Sequence, residues 1–445
     1  MSFDIFRNFD FNLVVDFFNQ PFYGLFWYTF SRGFWILISL IIMKAVFDIR
    51  LNNARKKWYG GMKKICLAID MPRDNEQTPK ATEAMFTHLT AIYAGYTKAE
   101  TFVEGRIPVM IAFEIVSLEG YIQFMVYCPE RNRDFIEATI FAQYPEAEIT
   151  EIPDYANNFP SSFPCEYEIY GTEFGYKNEP YYPIRTYQDF FDKDAMEEIK
   201  FKDPMAAILE SLSIMSKDEY QGLQIVLRNP GGGFEKKIIS AGKDEINRLM
   251  GIKKVSESRK HPIIIFIRDF FSTLFTSQLS TWGDSPITEK SDLMAWESKL
   301  SISDKNKVEA IERKLSKPMF QVKIRFFYMA KKEVMNKSKG ISTFFGSTFQ
   351  FVNTDGNSLK SNGETTTLEP EYFLKNLRRN YRKNQFMLGW KKRHLSIGGP
   401  PIVMNVEELA TLFHFPSNQV KTPNLSRIDS KKIEPPTDLP IIEDY

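Results

Sequence analysis

The chain reads as α+β: an N-terminal transmembrane helix, a βαββαβ module, and a second α/β sandwich module with a helical insertion. Three observations predict this. One long apolar stretch, Pro21 to Phe47, stands apart from everything after it. Between Lys64 and Ile152 strand and helix periodicities follow in the order β-α-β-β-α-β. Beyond Cys165, helix-and-strand patterns flank a break at Asn229-Pro230 and Gly231-Gly232-Gly233.

The apolar stretch comes first. A spanning helix needs about 20 mostly apolar residues, and Pro21 to Met43 holds one charge, Arg32. Two placements fit: a span from Phe22 to Met43, or one shifted toward Phe47 with Lys44 reaching back to water. Arg50, Arg55, Lys56, Lys57, Lys63 and Lys64 follow, with no acid at 49–64, whereas Asp4, Asp10 and Asp16 precede the span. Basic flanks stay cytoplasmic. The expectation is a single-pass protein of the inner or plasma membrane, with the tail 1–20 outside, the anchor at 21–48, a basic juxtamembrane linker at 49–61 and the body inside. A buried core helix with an aromatic face is the other reading of the same run.

The first module, 62–158, is justified element by element. Lys64 to Asp70 alternates as a strand through Ile65, Leu67 and Ile69. Lys80 to Ala94 is helical, with Ala84, Met85, Leu89 and Ile92 on one face. Val109 to Ser117 and Tyr121 to Cys128 are strands joined by a turn at Glu119-Gly120. Arg131 to Gln143 is a second helix behind Pro129, and Ala147 to Ile152 closes the order. This is the split unit of ferredoxin-like folds.

The second module, 159–355, is expected to hold strands at Tyr167 to Phe174 and Tyr181 to Arg185. A helix at Asp203 to Ile214 follows, with Asp203 capping and Pro204 in its first turn, and then a strand at Tyr220 to Arg228. After an insertion, 230–302, come a helix at Asp304 to Leu315, a strand at Phe320 to Ala330 and a helix at Lys331 to Phe349. Within the insertion, Lys236 to Met250 is a charged amphipathic helix. Pro262 to Leu279 is apolar on most sides but carries Arg268 and Asp269, so it packs on its own domain or lies on a leaflet or partner. Residues 356–415 form a basic helical region with a helix at Glu371 to Lys383 and a short one at Asn405 to Phe413. Residues 416–445 are an extended Pro-rich tail.

Composition narrows the function. The 445 residues carry 57 Lys+Arg against 56 Asp+Glu, so no global field points to nucleic acid or lipid. Three cysteines, Cys66, Cys128 and Cys165, argue against a disulfide framework and fit a reducing compartment. Neither the Gly231 region nor Gly340 to Gly346 has the spacing of a phosphate loop. The four histidines, His88, His261, His394 and His414, are too dispersed for metal-ligand spacing. No catalytic, cofactor-binding or metal residue is assigned, and the chain reads as a binding or assembly module rather than an enzyme. One charge cluster stands out: Lys375, Arg378, Arg379, Arg382, Lys383, Lys391, Lys392 and Arg393, interleaved with Tyr381, Phe386 and Trp390. Basic residues among aromatics suit a DNA backbone, an anionic lipid or an acidic protein, and a solvated helix face shows the same pattern.

At the carboxyl end, Val406-Glu407-Glu408-Leu409-Ala410-Thr411-Leu412-Phe413-His414-Phe415-Pro416 is followed by Thr422-Pro423, Pro435-Pro436 and Leu439-Pro440. This resembles the region preceding the motor domain in conjugative coupling ATPases of type IV secretion and their HerA-like DNA-translocase relatives. Phe113 to Ser117 with Gly120, Ala142 to Ile149, and Val308 to Lys314 with Pro318 are similar to other parts of that region. The likeness covers residues 60 to 440. The motor's phosphate loop is not among these residues, so the resemblance implies the non-motor half without its ATPase activity. It implies a membrane-anchored accessory or assembly subunit of a type IV secretion or conjugative DNA-transfer machine. Its partners would be a cytoplasmic DNA-translocating ATPase and DNA, with a homo-oligomer expected from the symmetry of a ring. Glu407, Glu408, Leu409, His414, Phe415 and Pro416 form the expected motor-docking segment. The rival reading is a membrane-associated scaffold with no DNA-transfer role, binding anionic lipid through 50–64 and 262–279 or binding another protein.

Overall fold

The computed structural model describes residues 35–92, 95–191, 201–229, 231–252, 301–370, 372–418 and 424–428, with single residues at 24, 30, 33, 420 and 422. The chain divides into two compact units.

The first unit takes in residues 1–61, 96–107 and 257–284. Its principal described element is helix α1, Trp35–Gly60. The π-helical turn Glu100–Glu104 packs beside it, with Phe102 at 6.1 Å from Phe47 ring to ring. Trp58 meets Tyr96 edge-on, also at 6.1 Å.

Here the expected anchor is corrected. Among the described residues no helix is long and apolar enough to cross a membrane. The uncharged part of α1, Trp35 to Met43, rises only about 13 Å at 1.5 Å per residue, against a hydrocarbon core of ~30 Å. Lys44, Asp48 and Arg50 then enter the same helix. The N-terminal transmembrane helix, the single-pass membrane localisation and the juxtamembrane role of Arg50, Arg55, Lys56 and Lys57 all rested on that span. These four cations instead continue α1 without a break, because no Gly or Pro interrupts the helix before Gly60. Most of residues 1–34 lie outside the described residues, as do Pro262 to Leu279, Pro423 and the tail prolines at 435, 436 and 440.

The second unit, residues 62–95, 108–256 and 285–445, is mixed α/β around one large, mainly antiparallel sheet. Its first half holds β1 Lys64–Pro72, α2 Pro79–Leu89, β2 Met110–Leu118, β3 Tyr121–Pro129, α3 Arg133–Phe141 and β4 Glu148–Ile152. The strands lie in the order β4-β1-β3-β2, every neighbouring pair antiparallel.

The second half holds β5 Tyr167–Tyr176, α4 Met205–Ser213, β6 Glu219–Arg228, α5 Gly232–Leu249, α6 Ile302–Leu315, β7 Met319–Lys331, α7 Thr343–Thr348 and β8 Leu359–Ser361. Its strands lie in the order β6-β7-β5-β8, again all antiparallel. Read from β8 inward, this is the strand order of the first half once more. The halves are joined edge to edge, because β2 pairs antiparallel with β6 from Met110↔Arg228 to Leu118↔Tyr220.

The two expected sandwiches are thus one continuous sheet. Tyr181 to Arg185 is not a strand, and Lys331 to Phe349 is a turn, a π-helical turn and the short α7 rather than one helix. Helix α6 packs on α5 through Ile246, Val308 and Ile311. It therefore belongs to the excursion between β6 and β7, not to the sheet's own helical layer.

Beyond β8 come α8 Lys375–Lys392, β9 Ile402–Asn405, α9 Val406–Leu412 and β10 Arg427–Ile428. Strand alternation gives the sheet two buried faces. On one, Phe113, Ile115, Phe124, Ile225, Ile324 and Phe326 meet α2, α3, α4, α7 and α9. On the other, Val116, Met125, Phe327 and Met329 meet α8 and the segment 155–163.

Candidate functional site

The α8 face of the sheet carries a polar row through its centre. Glu114 on β2 stands opposite Gln224 on β6, Gln224 opposite Arg325 on β7, and Arg325 opposite Glu173 on β5. All four side chains are buried. Gln224 Nε2 donates to Glu114 Oε1 at 2.8 Å, and Arg325 Nη1 donates to Gln224 Oε1 at 3.0 Å. Arg325 Nε donates to Glu173 Oε1 at 2.9 Å. The row crosses the β2–β6 junction and ties the two halves together.

Helix α8 closes over this row with its carboxyl end. Arg393 donates from Nε to Glu114 Oε1 at 2.9 Å and from Nη1 to Asp154 Oδ2 at 2.6 Å. Tyr155 donates its hydroxyl to Glu114 Oε2 at 2.6 Å and receives the Trp390 indole N–H at 3.1 Å. The segment after α8 offers carbonyls to the cations below. Arg325 Nη2 donates to His394 O at 2.9 Å and to Ile397 O at 2.8 Å, and Lys323 Nζ donates to Ile397 O at 2.7 Å. Burial lowers the Lys323 ammonium to about 8, against the opposing pull of Glu173. Burial likewise dominates the lowering of His394 to about 4, helped by Arg228, Lys64, Arg325 and Lys323. The Ser396 backbone N–H donates to His394 Nδ1 at 3.1 Å, which suits the neutral ring. A buried ionic set of this kind is tolerated only when every partner is satisfied.

Two glycines let α8 approach. A Cβ on Gly171 would stand 2.5 Å from the Phe386 ring, and one on Gly222 would stand 2.7 Å from Phe327 and 3.0 Å from Trp390. Of the aromatics interleaved with the cations, Phe386 and Trp390 anchor the helix, while Tyr381 stays exposed.

The eight cations of the basic cluster consequently separate. Arg393 and Lys383 are interior, the latter paired with Glu168. Lys391 is half-buried and donates to Phe159 O at 2.7 Å. Arg379 lies 3.6 Å from Glu369, and Arg382 donates to Thr366 O at 3.4 Å. Lys375, Arg378 and Lys392 are exposed. The cluster is therefore not one continuous contact face, because the 3.6-residue period turns alternate cations into the sheet.

The expected motor-docking segment is interior as well. Glu408 lies 2.9 Å from the buried Lys314 ammonium and accepts from Ile184 N at 3.0 Å. It also completes a capping box with Asn405 at the start of α9. Glu407 meets Lys317 at 2.7 Å, and Lys317 also holds Glu83 of α2 at 2.6 Å. Leu409 is fully buried, and Phe415 packs on Phe124 and Tyr144 with ring centroids at 5.3 and 5.0 Å. His414 Nε2 lies 2.9 Å from Asp203 Oδ1, and Pro416 O accepts from Asn75 Nδ2 at 3.0 Å. These six residues are buried and committed to the fold, Glu407 to the half-buried Lys317, Glu408 to the buried Lys314 and His414 to Asp203.

Glu114 lies in one of the stretches that carry the resemblance, whereas Asp154, Glu173, Gln224, Lys323 and Arg325 have no role assigned from the sequence. For the five on strands the signal is a polar residue in an otherwise apolar run, as in Phe113-Glu114-Ile115 and Ile324-Arg325-Phe326; Asp154 sits after β4, at the start of the next helical turn, and has no such signal. Among the described residues no group of three or more His, Cys, Asp or Glu side chains is arranged to hold a metal ion.

The family model described as a domain of unknown function, DUF8128, matches residues 63–428, and the chain belongs to that family. No curated protein matches it.

Proposed function

We propose that this family member is a non-catalytic assembly subunit of a type IV secretion or conjugative DNA-transfer machine, docking to a DNA-translocating ATPase. One observation carries the reading. Two of the stretches that resemble the non-motor region of coupling ATPases, around Glu114 and from Val406 to Pro416, help hold the sheet together. Glu114 receives Arg393 and Tyr155, and Glu407, Glu408 and His414 tie α9 to α2, α6 and the start of α4. The likeness therefore falls on framework-forming residues, where a shared architecture would leave its trace, rather than on scattered surface positions. A rigid twin-module platform suits an assembly role.

The test is affinity capture of the full chain from its native cell after mild cross-linking, with partners identified by mass spectrometry. The proposal expects an ATPase of the coupling or HerA-like class among the partners. Capture without any such ATPase overturns it, and so does nucleotide turnover by the purified chain alone.

A further inference from the structure

The amino-terminal end of α8 differs from the rest of that helix. Tyr372, Phe373, Leu374, Leu377 and Tyr381 are 69, 87, 70, 67 and 66% exposed. Phe373 and Leu374 hold left-handed backbone, with φ of 38° and 47°, a conformation that is strained for a non-glycine residue. Leu374, Leu377 and Tyr381 follow the i, i+3, i+7 spacing of one helical stripe. Lys375 and Arg378 flank the stripe in solvent, and no acid occurs from 372 to 399. The first turn of α8 contains no acidic residue. The partial positive charge of the helix start and the side-chain cations therefore add rather than cancel.

We infer that this end of α8 is the docking surface for a partner helix with an acidic rim and an apolar stripe, and, resting on the proposed function, that the ATPase supplies this helix. The charge complementarity is direct. Acidic side chains over Lys375 and Arg378 would relieve both the like charges and the helix start. Tyr372, Phe373 and Tyr381 offer ring faces, but the stripe favours protein over nucleic acid. Leu374 and Leu377 have no ring face for a base to stack on, and with Tyr381 they fit the i, i+3, i+7 register of helix-on-helix recognition.

A photo-activatable phenylalanine at Tyr381 of the full chain, irradiated in the native cell, tests this by sequencing the cross-linked peptide. The expected adduct is an acidic, apolar-striped segment of the ATPase. It should fall at least about tenfold in a Leu377→Asp, Arg378→Glu variant, the loss that truncating an anchor and a charged contact brings, while far-UV circular dichroism stays the same. An adduct to nucleic acid overturns the inference. So does an adduct to a second copy of this chain, or labelling no stronger than from the same cross-linker at the exposed Tyr121. If whole-chain capture retrieves the ATPase but this adduct is missing, the surface is wrong and the function stands. If the adduct is an acidic helix of a protein without a motor, the surface stands and the function is wrong.

Discussion

Arg393 and Glu114, 279 positions apart in sequence, meet at 2.9 Å with the arginine 1% and the glutamate 0% exposed. Asp154 and Tyr155 complete the group around them. Removing Arg393 strands Glu114 in the interior, which typically costs ~3–5 kcal/mol, whereas removing Glu114 leaves Arg393 its Asp154 partner. Arg393→Met should lower the unfolding free energy obtained from urea titration by an amount in that range, and Glu114→Gln by less. The double variant should lose less than the sum, because neither charge is then left alone. Additive losses would mean that the two side chains do not act as a pair.

Gly222 predicts how α8 is held. Its Cβ position is already filled by Phe327 and Trp390, so Gly222→Ala must push the helix or the ring away. Overpacking of this kind costs about 1–3 kcal/mol. The variant should be cleaved faster by trypsin within 375–393 than the parent. Unchanged cleavage together with unchanged stability would show that α8 does not rest on the sheet there.

His394 sets a pH dependence on the acid side. Its folded pKa, about 4, lies below its ordinary 6.5, so the unfolded chain binds the proton more readily. Stability is full above about pH 6.5 and declines as pH falls toward 4, after which this contribution is flat. His394→Asn keeps a hydrogen-bond acceptor near Ser396 and should flatten that part of the curve. An identical slope in parent and variant between pH 6.5 and 4 would exclude His394 as its source.

Asp203 acts at lower pH. Burial works against its charge, but His414 and the backbone N–H groups of Ser417 and Met205 outweigh it and hold the carboxyl below its usual value. Its contribution is therefore present above the ordinary aspartate pKa of about 4 and is lost as pH falls through the lower folded value. Asp203→Asn should cost about 1–3 kcal/mol at pH 7, as a buried hydrogen-bonded charge does. The gap between parent and variant should narrow in strong acid, and thermal melts at pH 7 and pH 2.5 read both outcomes. A gap that stays constant between those pH values would count against the ion pair.

Local pattern determined many of the elements, though not the structure of Tyr181 to Arg185 or Lys331 to Phe349. Alternation in Lys64 to Asp70, the turn at Glu119-Gly120, the helical faces after Pro79 and Arg133, and the Asn405 cap of α9 all depend on neighbours a few residues away. Partnering across the chain was decided only in three dimensions. The β2–β6 junction, which makes two modules one sheet, leaves no local mark, because a strand's pattern does not say which edge it meets. Residues read as surface cations or docking groups, Lys383, Arg393, Glu407, Glu408 and His414, became interior because their compensating charges, Glu168, Glu114, Lys317, Lys314 and Asp203, arrive from distant segments. A buried charge is stable only beside its partner, and sequence distance conceals that partner. The apolar leader was judged by its length as a run; in the fold, the charges within α1 leave only a short uncharged stretch among the described residues.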